Sequence, residues 1–276
     1  MCSTPTVAAG ISIKDDLGHA VALGQPAQRI VTLAPFLTEL VFSAGAGARL
    51  VAVSAYSDYP ERAKALPQVA NAAGFSMEQV LALRPDLVLA WRDSIRVEDA
   101  ERLRGFGIAV FVAQARSLED VPRLLAAVGA LAGGDTTAQA RAYRGKLAAL
   151  RNAHASLPRI AVLLEVWHRP LQTVAGRHWM NEALEICGAT NAFADLSGVA
   201  PLLSWEEVYA RDPRAIVGAG SAGSEQDFRS QWNERSTLFA VRQKRLVYLP
   251  PDIIQRPTLR LTEGVEQLCA GLDRAR

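Results

Sequence analysis

The strongest constraint in this chain is a unit written twice. Residues 76–89 read SMEQVLALRPDLVL and residues 204–217 read SWEEVYARDPRAIV, 128 positions apart without a gap. Ser76/Ser204, Glu78/Glu206, Val80/Val208, Ala82/Ala210 and Pro85/Pro213 are identical pairs. Ser76 with Gln79 three residues on reads as a capping box for a helix over 77–84. Pro85 stops that helix, and Asp86–Ala90 follows as a buried strand. Ser117-Leu118-Glu119-Asp120-Val121 also opens S-x-E-x-V but lacks the proline and strand, so only the complete helix–proline–strand unit signals duplication.

A unit repeated half a chain apart predicts two lobes, and 276 residues accommodate two domains of roughly 100–150 residues each. Strand signals at Ile30–Leu33, Leu50–Val53 and 107–113 alternate with helical ones. Thr38 is placed to cap a helix ending near Gly45 and Gly47, a second helix falls near 95–105, and Ser117 opens a third toward Gly133. Alternation of this kind predicts a largely parallel sheet with helices on its faces. From Asp135 to about Ser156 an Ala-, Arg- and Leu-rich helical pattern could run roughly 30 Å and serve as the spacer. After Pro158 the α/β pattern restarts, and NEALEICGA (181–189) rhymes with TELVFSAGA (38–46). The expected organisation is an N-terminal extension with first strands over 1–27, one α/β lobe over 28–134, a linking helix over 135–157 and a second lobe over 158–276.

The formal net charge is +2 with scattered basic residues, which gives no electrostatic case for nucleic acid. No apolar run is long enough to span a membrane, so the chain reads as soluble. It opens on Met1-Cys2-Ser3 without a basic start or apolar h-region, as a chain would once a secretory leader had been removed, and export stays open. Of the three cysteines, Cys2 is terminal, an unpaired thiol or a lipid-attachment residue. Cys187 and Cys269 are either two buried free thiols or one disulfide of an exported protein, and nothing near them has zinc spacing.

GAGSAG (218–223) follows a strand and matches a dinucleotide loop, the basis of a rival reading as a nucleotide-dependent enzyme. The polar segment SEQDFRSQWNERS behind it, and an acid, Asp252, about 30 residues on, fit that pattern poorly. His168 and His178 share an aromatic-bearing loop and are either hydrogen-bonded loop histidines or ligands to iron or haem. Aromatics cluster after strands: Tyr56 and Tyr59 after Leu50–Ser54, Trp91 after Asp86–Ala90, Trp167 after Ile160–Val166, with Trp179 nearby. In open α/β sheets these carboxyl ends face the ligand, and such rings suit one that is part apolar and part amide.

RIVTLAPFLTELVFSAG, SAYSDYPERAKALPQVA and SMEQVLALRPDLVLAWR, together with EICGATNAF, SWEEVYARDPRAIV and PPDIIQRPTLR, resemble the cobalamin-binding proteins of the BtuF type. These belong to the helical-backbone class of ABC-transporter substrate-binding proteins, and the similarity covers about residues 28–274. It implies two α/β lobes joined by one long helix with a ligand cleft between them, no catalysis and no catalytic cofactor, a periplasmic monomer, and a corrinoid as cargo. Haem and ferric siderophores are carried by other members. It further implies ligand contacts at Tyr56, Trp91, the Trp167 loop, Asp252 and Arg256, a Cys187–Cys269 disulfide, and Glu78 and Glu206 as acids that dock on arginines of an ABC permease. Ala72-Ala73 and Val199-Ala200-Pro201 stand where the family pattern has tryptophans, and Phe36 adds bulk where a small residue is usual.

Overall fold

The computed structural model describes residues 10–220 and 223–276. Cys2 and two residues of the GAGSAG loop lie outside the described residues. The chain divides into two compact units, one of the described residues up to Gln114 plus Pro122–Arg141, the other of Ala115–Val121 plus Ala142–Arg276.

In the first unit a hairpin of β1 (Ile11–Lys14) and β2 (Ala20–Leu23) precedes a six-stranded sheet. Its strands are β3 (Ile30–Thr32), β4 (Leu50–Ser54), β5 (Gln68–Asn71), β6 (Gly74–Phe75), β7 (Leu87–Trp91) and β8 (Ala109–Ala113), in the order β6-β5-β4-β3-β7-β8. All neighbours are parallel except β5 and β6. The helices are α1 (Pro35–Ser43), α2 (Met77–Ala82), α3 (Val97–Gly105) and α4 (Asp120–Ala132). Strands β7 and β8 are buried almost throughout, as parallel strands covered on both faces must be. The hairpin is clipped on by Asp15, whose buried carboxylate meets Arg104 at 2.8 Å, and by Asp16, which meets Arg123 at 2.8 Å.

Helix α5 (Thr137–His154) starts where Asp135 accepts the Thr137 N–H at 2.9 Å, and its 18 residues span about 27 Å. The second unit holds β9 (Ile160–Glu165), a short hairpin of β10 (Trp167–His168) and β11 (Leu171–Gln172), α6 (Trp179–Ile186), β12 (Ala189–Asn191), α7 (Trp205–Arg211), β13 (Ala215–Gly218), α8 (Glu225–Asn233), α9 (Phe239–Arg242), β14 (Leu246–Tyr248), α10 (Pro251–Ile254) and α11 (Leu261–Ala275). Its main sheet is wholly parallel in the order β12-β9-β13-β14, which matches β4-β3-β7-β8 of the first unit. Cys187, capping α6, is disulfide-bonded to Cys269 of α11 across 82 positions, with the Cα atoms 4.7 Å apart.

Three local expectations are corrected. Thr38 does not cap α1: Pro35 occupies the first turn, where its fixed φ suits a helix and its missing N–H costs nothing, so the helix starts earlier and Thr38 is buried within it. Helix α2 ends at Ala82, because Arg84 turns left-handed (φ 47°) before Pro85. Ser117 does not begin α4; its N–H and hydroxyl both donate to Asp120, at 2.9 and 2.8 Å, and the helix starts at Asp120.

Candidate functional site

In the first unit the carboxyl ends of β4 and β7 present Tyr56 and Trp91. Tyr56 is 75% exposed on a left-handed residue (φ 63°) just past β4. A buried chain of hydroxyls supports its turn: Thr32 to Thr38 at 2.6 Å, Thr38 to Ser57 at 3.0 Å and Ser57 to Ser54 at 3.2 Å. Trp91 closes β7, and its carbonyl accepts the N–H groups of Ser94 and Ile95 at 3.0 and 3.1 Å. Phe36 is buried and meets the Trp91 ring edge-on, centroids 6.1 Å apart. Its bulk therefore goes into backing Trp91.

A groove of about 510 Å³ runs along β5, β6 and the start of α2, lined by Ala73, Gly74, Asn71 and Gln79 among others. It coincides with the Ala72-Ala73 stretch where the sequence lacks a tryptophan.

In the second unit Trp167 is 48% exposed, and its indole N–H donates to the Arg169 carbonyl at 2.9 Å. Asp252, in the first turn of α10, pairs with Arg256 at 2.8 Å. Between them in sequence, the Gln255 carboxamide donates to the Ala219 carbonyl and, at 3.4 Å, to that of Val166. The end of β9, the glycine loop and α10 are thereby braced together.

Trp179 is buried, its indole N–H donating to the Ile254 carbonyl at 3.0 Å, so its ring packs inside the unit. His178 stacks on it at 3.9 Å, and its Nδ1 accepts the Met180 N–H at 3.2 Å as the cap of α6. Burial, aided by the nearby Arg116 charge, lowers the His178 pKa to about 4, so the ring is neutral. His168 is also buried; its Nδ1 lies 3.2 Å from a Glu165 oxygen, and Trp205 and Trp232 flank the ring. Both histidines are buried and have internal partners. Among the described residues no cluster of three or more His, Cys, Asp or Glu could hold a metal.

The described glycines at the start of the loop are closely packed. A side chain at Gly218 would run into the Phe228 ring, and one at Gly220 into the Val166 carbonyl. Helix α8 behind it is capped by Ser224, with Glu225 and Asp227 in its first turn, charges that repel a phosphate. The dinucleotide pattern thus reflects close packing at the carboxyl end of the interior strand β13.

Glu78 and Glu206 are exposed in the first turns of α2 and α7. Each lies just beyond its capping serine, Ser76 or Ser204, so one acid projects at the matched place of each unit. The residues that pattern reading missed are Glu165, Trp205 and Trp232. A carboxylate closing the apolar run RIAVLLEV was the available signal, since a strand buried on both faces accepts an acid only with partners.

Residues 30–253 match the family described as periplasmic binding protein, and the chain belongs to that family. It is 32% identical over 247 residues to the vitamin B12-binding protein of Vibrio parahaemolyticus, covering 89% of each chain. To the vitamin B12-binding protein of Vibrio cholerae it is 34% identical over 249 residues, covering 90% of each. The crystal structure of the periplasmic vitamin B12-binding protein BtuF of Vibrio cholerae superposes with a TM-score of 0.82 at 34% identity, over 91% of this chain and 98% of that one. A periplasmic heme-binding protein from Pseudomonas aeruginosa superposes at 0.73 with 26% identity, over 88% and 92%.

Proposed function

We propose that this chain is an exported binding protein that captures a corrinoid, cobalamin foremost, and delivers it to an ABC importer. The observation that carries the reading is its 32–34% identity, over about nine-tenths of both chains, to proteins named for vitamin B12 binding. The chemistry of the two units supports it. Tyr56 and Trp91 in one unit, and Trp167 in the other, offer flat faces for a large, partly apolar ligand. Asp252 and Arg256 add polar contacts suited to its amide groups. Haem is less well served, because His168 and His178 are both buried with internal partners. Glu78 and Glu206 are the permease-docking acids in this reading, each weak alone but orienting together on a two-fold partner.

Purified protein is mixed with cyanocobalamin, hydroxocobalamin, cobinamide or haemin at micromolar concentration, desalted, and its visible spectrum recorded. Retained corrinoid is expected; retention of haemin alone overturns the proposal. Trp91→Ala is expected to weaken corrinoid binding about tenfold, equivalent to about 1.4 kcal/mol. Glu78→Ala with Glu206→Ala should leave it unchanged and impair delivery; loss of ligand by that double variant would reverse the assigned roles.

A further inference from the structure

We propose that His168 and Glu165 are positioning residues that hold Trp167 in its ligand-facing orientation; this rests on the corrinoid reading above. The β10–β11 hairpin carrying Trp167 has only two paired positions, Trp167 with Gln172 and His168 with Leu171. A two-stranded hairpin is marginal in water; here β11 is bonded to residues 201–203, the Leu203 N–H donating to the Leu171 carbonyl at 2.9 Å, so the Trp167 strand is the one that needs an anchor. Strand alternation sends Trp167 and His168 to opposite faces, one 48% exposed and the other 6%. Pinning His168 inward therefore fixes Trp167 outward.

The pin is a buried carboxylate. Glu165 ends β9 at 1% exposure and accepts from two directions: His168 Nδ1 at 3.2 Å from the hairpin, and the Trp232 indole N–H from α8. Indole can only donate and a carboxylate oxygen accepts, so the pair closes with the Nδ1 tautomer of His168 as the second donor. The imidazole plane is set by Trp205 and Trp232, at centroid distances of 6.3 and 5.9 Å and interplanar angles of 64° and 77°. Trp205 is in turn covered by the Arg235 guanidinium at 4.2 Å. Removing His168 leaves Glu165 with a vacant buried acceptor and the β10 strand without its inward anchor, while buried Leu171 still holds β11.

A double-mutant cycle tests the proposal, with cyanocobalamin affinity measured on the full chain for Trp167→Ala, His168→Leu and the pair. Each single substitution is expected to weaken binding about tenfold, and the pair no more than Trp167→Ala alone, because His168 acts only through that ring. His168→Asn, which offers an amide donor near the Nδ1 position, should recover most of the affinity. Hydrogen exchange of the ligand-free protein should show faster exchange over 166–172 in His168→Leu and no change in the first unit. Losses that multiply, an unchanged affinity in either single variant, or unaltered exchange at 166–172 overturn the proposal. Should His168→Leu fail to fold, Glu165→Gln, which replaces one acceptor oxygen by a donor, is carried through the same cycle. A wild-type protein that binds no corrinoid, with His168→Leu still showing the exchange effect, refutes the functional reading and leaves the anchoring intact.

Discussion

The two copies of the helix–proline–strand unit share a frame and differ in everything attached to it. Val80 and Val208 are fully buried, as are Leu87–Leu89 and Ala215–Val217. Arg84 and Asp212 both turn left-handed (φ 47° and 34°) immediately before Pro85 and Pro213. The Asp86 N–H donates to the Arg29 carbonyl at 3.0 Å and the Arg214 N–H to that of Ala161 at 2.8 Å, docking both strands by the same bond. The caps differ. Ser204 and Glu207 form a complete capping box, whereas Ser76 accepts from the Gln79 N–H alone. The strand ends differ more: Trp91 closes β7, while the position 128 residues on is buried Ala219, against which Gln255 closes. In the second unit the exposed ring follows β9 instead, as Trp167. The two units thus share equivalent sets of strand ends, and each carries its ring at a different one.

The largest expected break in the symmetry is covalent, since only the second unit has a disulfide among the described residues. Cys187→Ser with Cys269→Ser releases a loop of 82 positions, worth roughly 4–5 kcal/mol of unfolded-state entropy. Urea unfolding followed by a probe in each unit should show the second transition shifted and the first in place; equal shifts would show that the staple serves both.

His178 gives the second unit an acid limb. Its folded pKa of about 4 lies below the ordinary value of 6.5, so the unfolded chain takes up the proton first. Stability is full above pH 6.5 and is lost as pH falls toward 4, by roughly 3 kcal/mol once complete. His178→Asn, which keeps an acceptor for the Met180 N–H, should flatten that part of the stability–pH curve; an unchanged slope would remove His178 as its source.

A smaller asymmetry lies at the matched positions Asp86 and Arg214. The Asp86 carboxylate accepts the N–H groups of Gln28 and Arg29 at 2.7 and 3.0 Å, tying the entry to β3. Asp86→Ala should cost about 1–3 kcal/mol in denaturant titration. Arg214→Ala loses a guanidinium contact over Phe239 at 3.7 Å and should cost under about 1 kcal/mol. The smallest difference is expected at the caps: Ser204→Ala about 1–2 kcal/mol and Ser76→Ala about 0.5–1 kcal/mol, because only the former dismantles a reciprocal pair. Equal costs would show that the Glu207 half of the box adds nothing.

The repeat was legible because helix caps, prolines and apolar strands act within a few residues of themselves. SMEQVLALRPDLVL announces a helix, a stop and a buried strand whatever lies around it. The Gly45 and Gly188 rhyme was legible for the same reason: both sit in left-handed conformation (φ 76° and 68°) just past α1 and α6. The start of α1 was misplaced because Thr38 looks like a cap when its hydroxyl partners, Thr32 and Ser57, are distant in sequence. The site was legible only as a set of aromatics after strands. Which rings are exposed and which are packed depends on neighbours brought by the fold: Trp167 and Tyr56 lie open, while Trp179 and Phe36 are buried.

The sequence by itself determined the duplicated α/β frame, the long helix, and the placement of Glu78 and Glu206 just past matched helix caps, since each follows from local stereochemistry and hydrophobic spacing. Only the tertiary structure decided that His168 points inward to Glu165, that Phe36 backs Trp91, and that Gly218 and Gly220 are packed against Phe228 and Val166. Those outcomes rest on contacts between segments far apart in the chain, and a buried carboxylate finds its two donors only once the strand, hairpin and helix that supply them have come together.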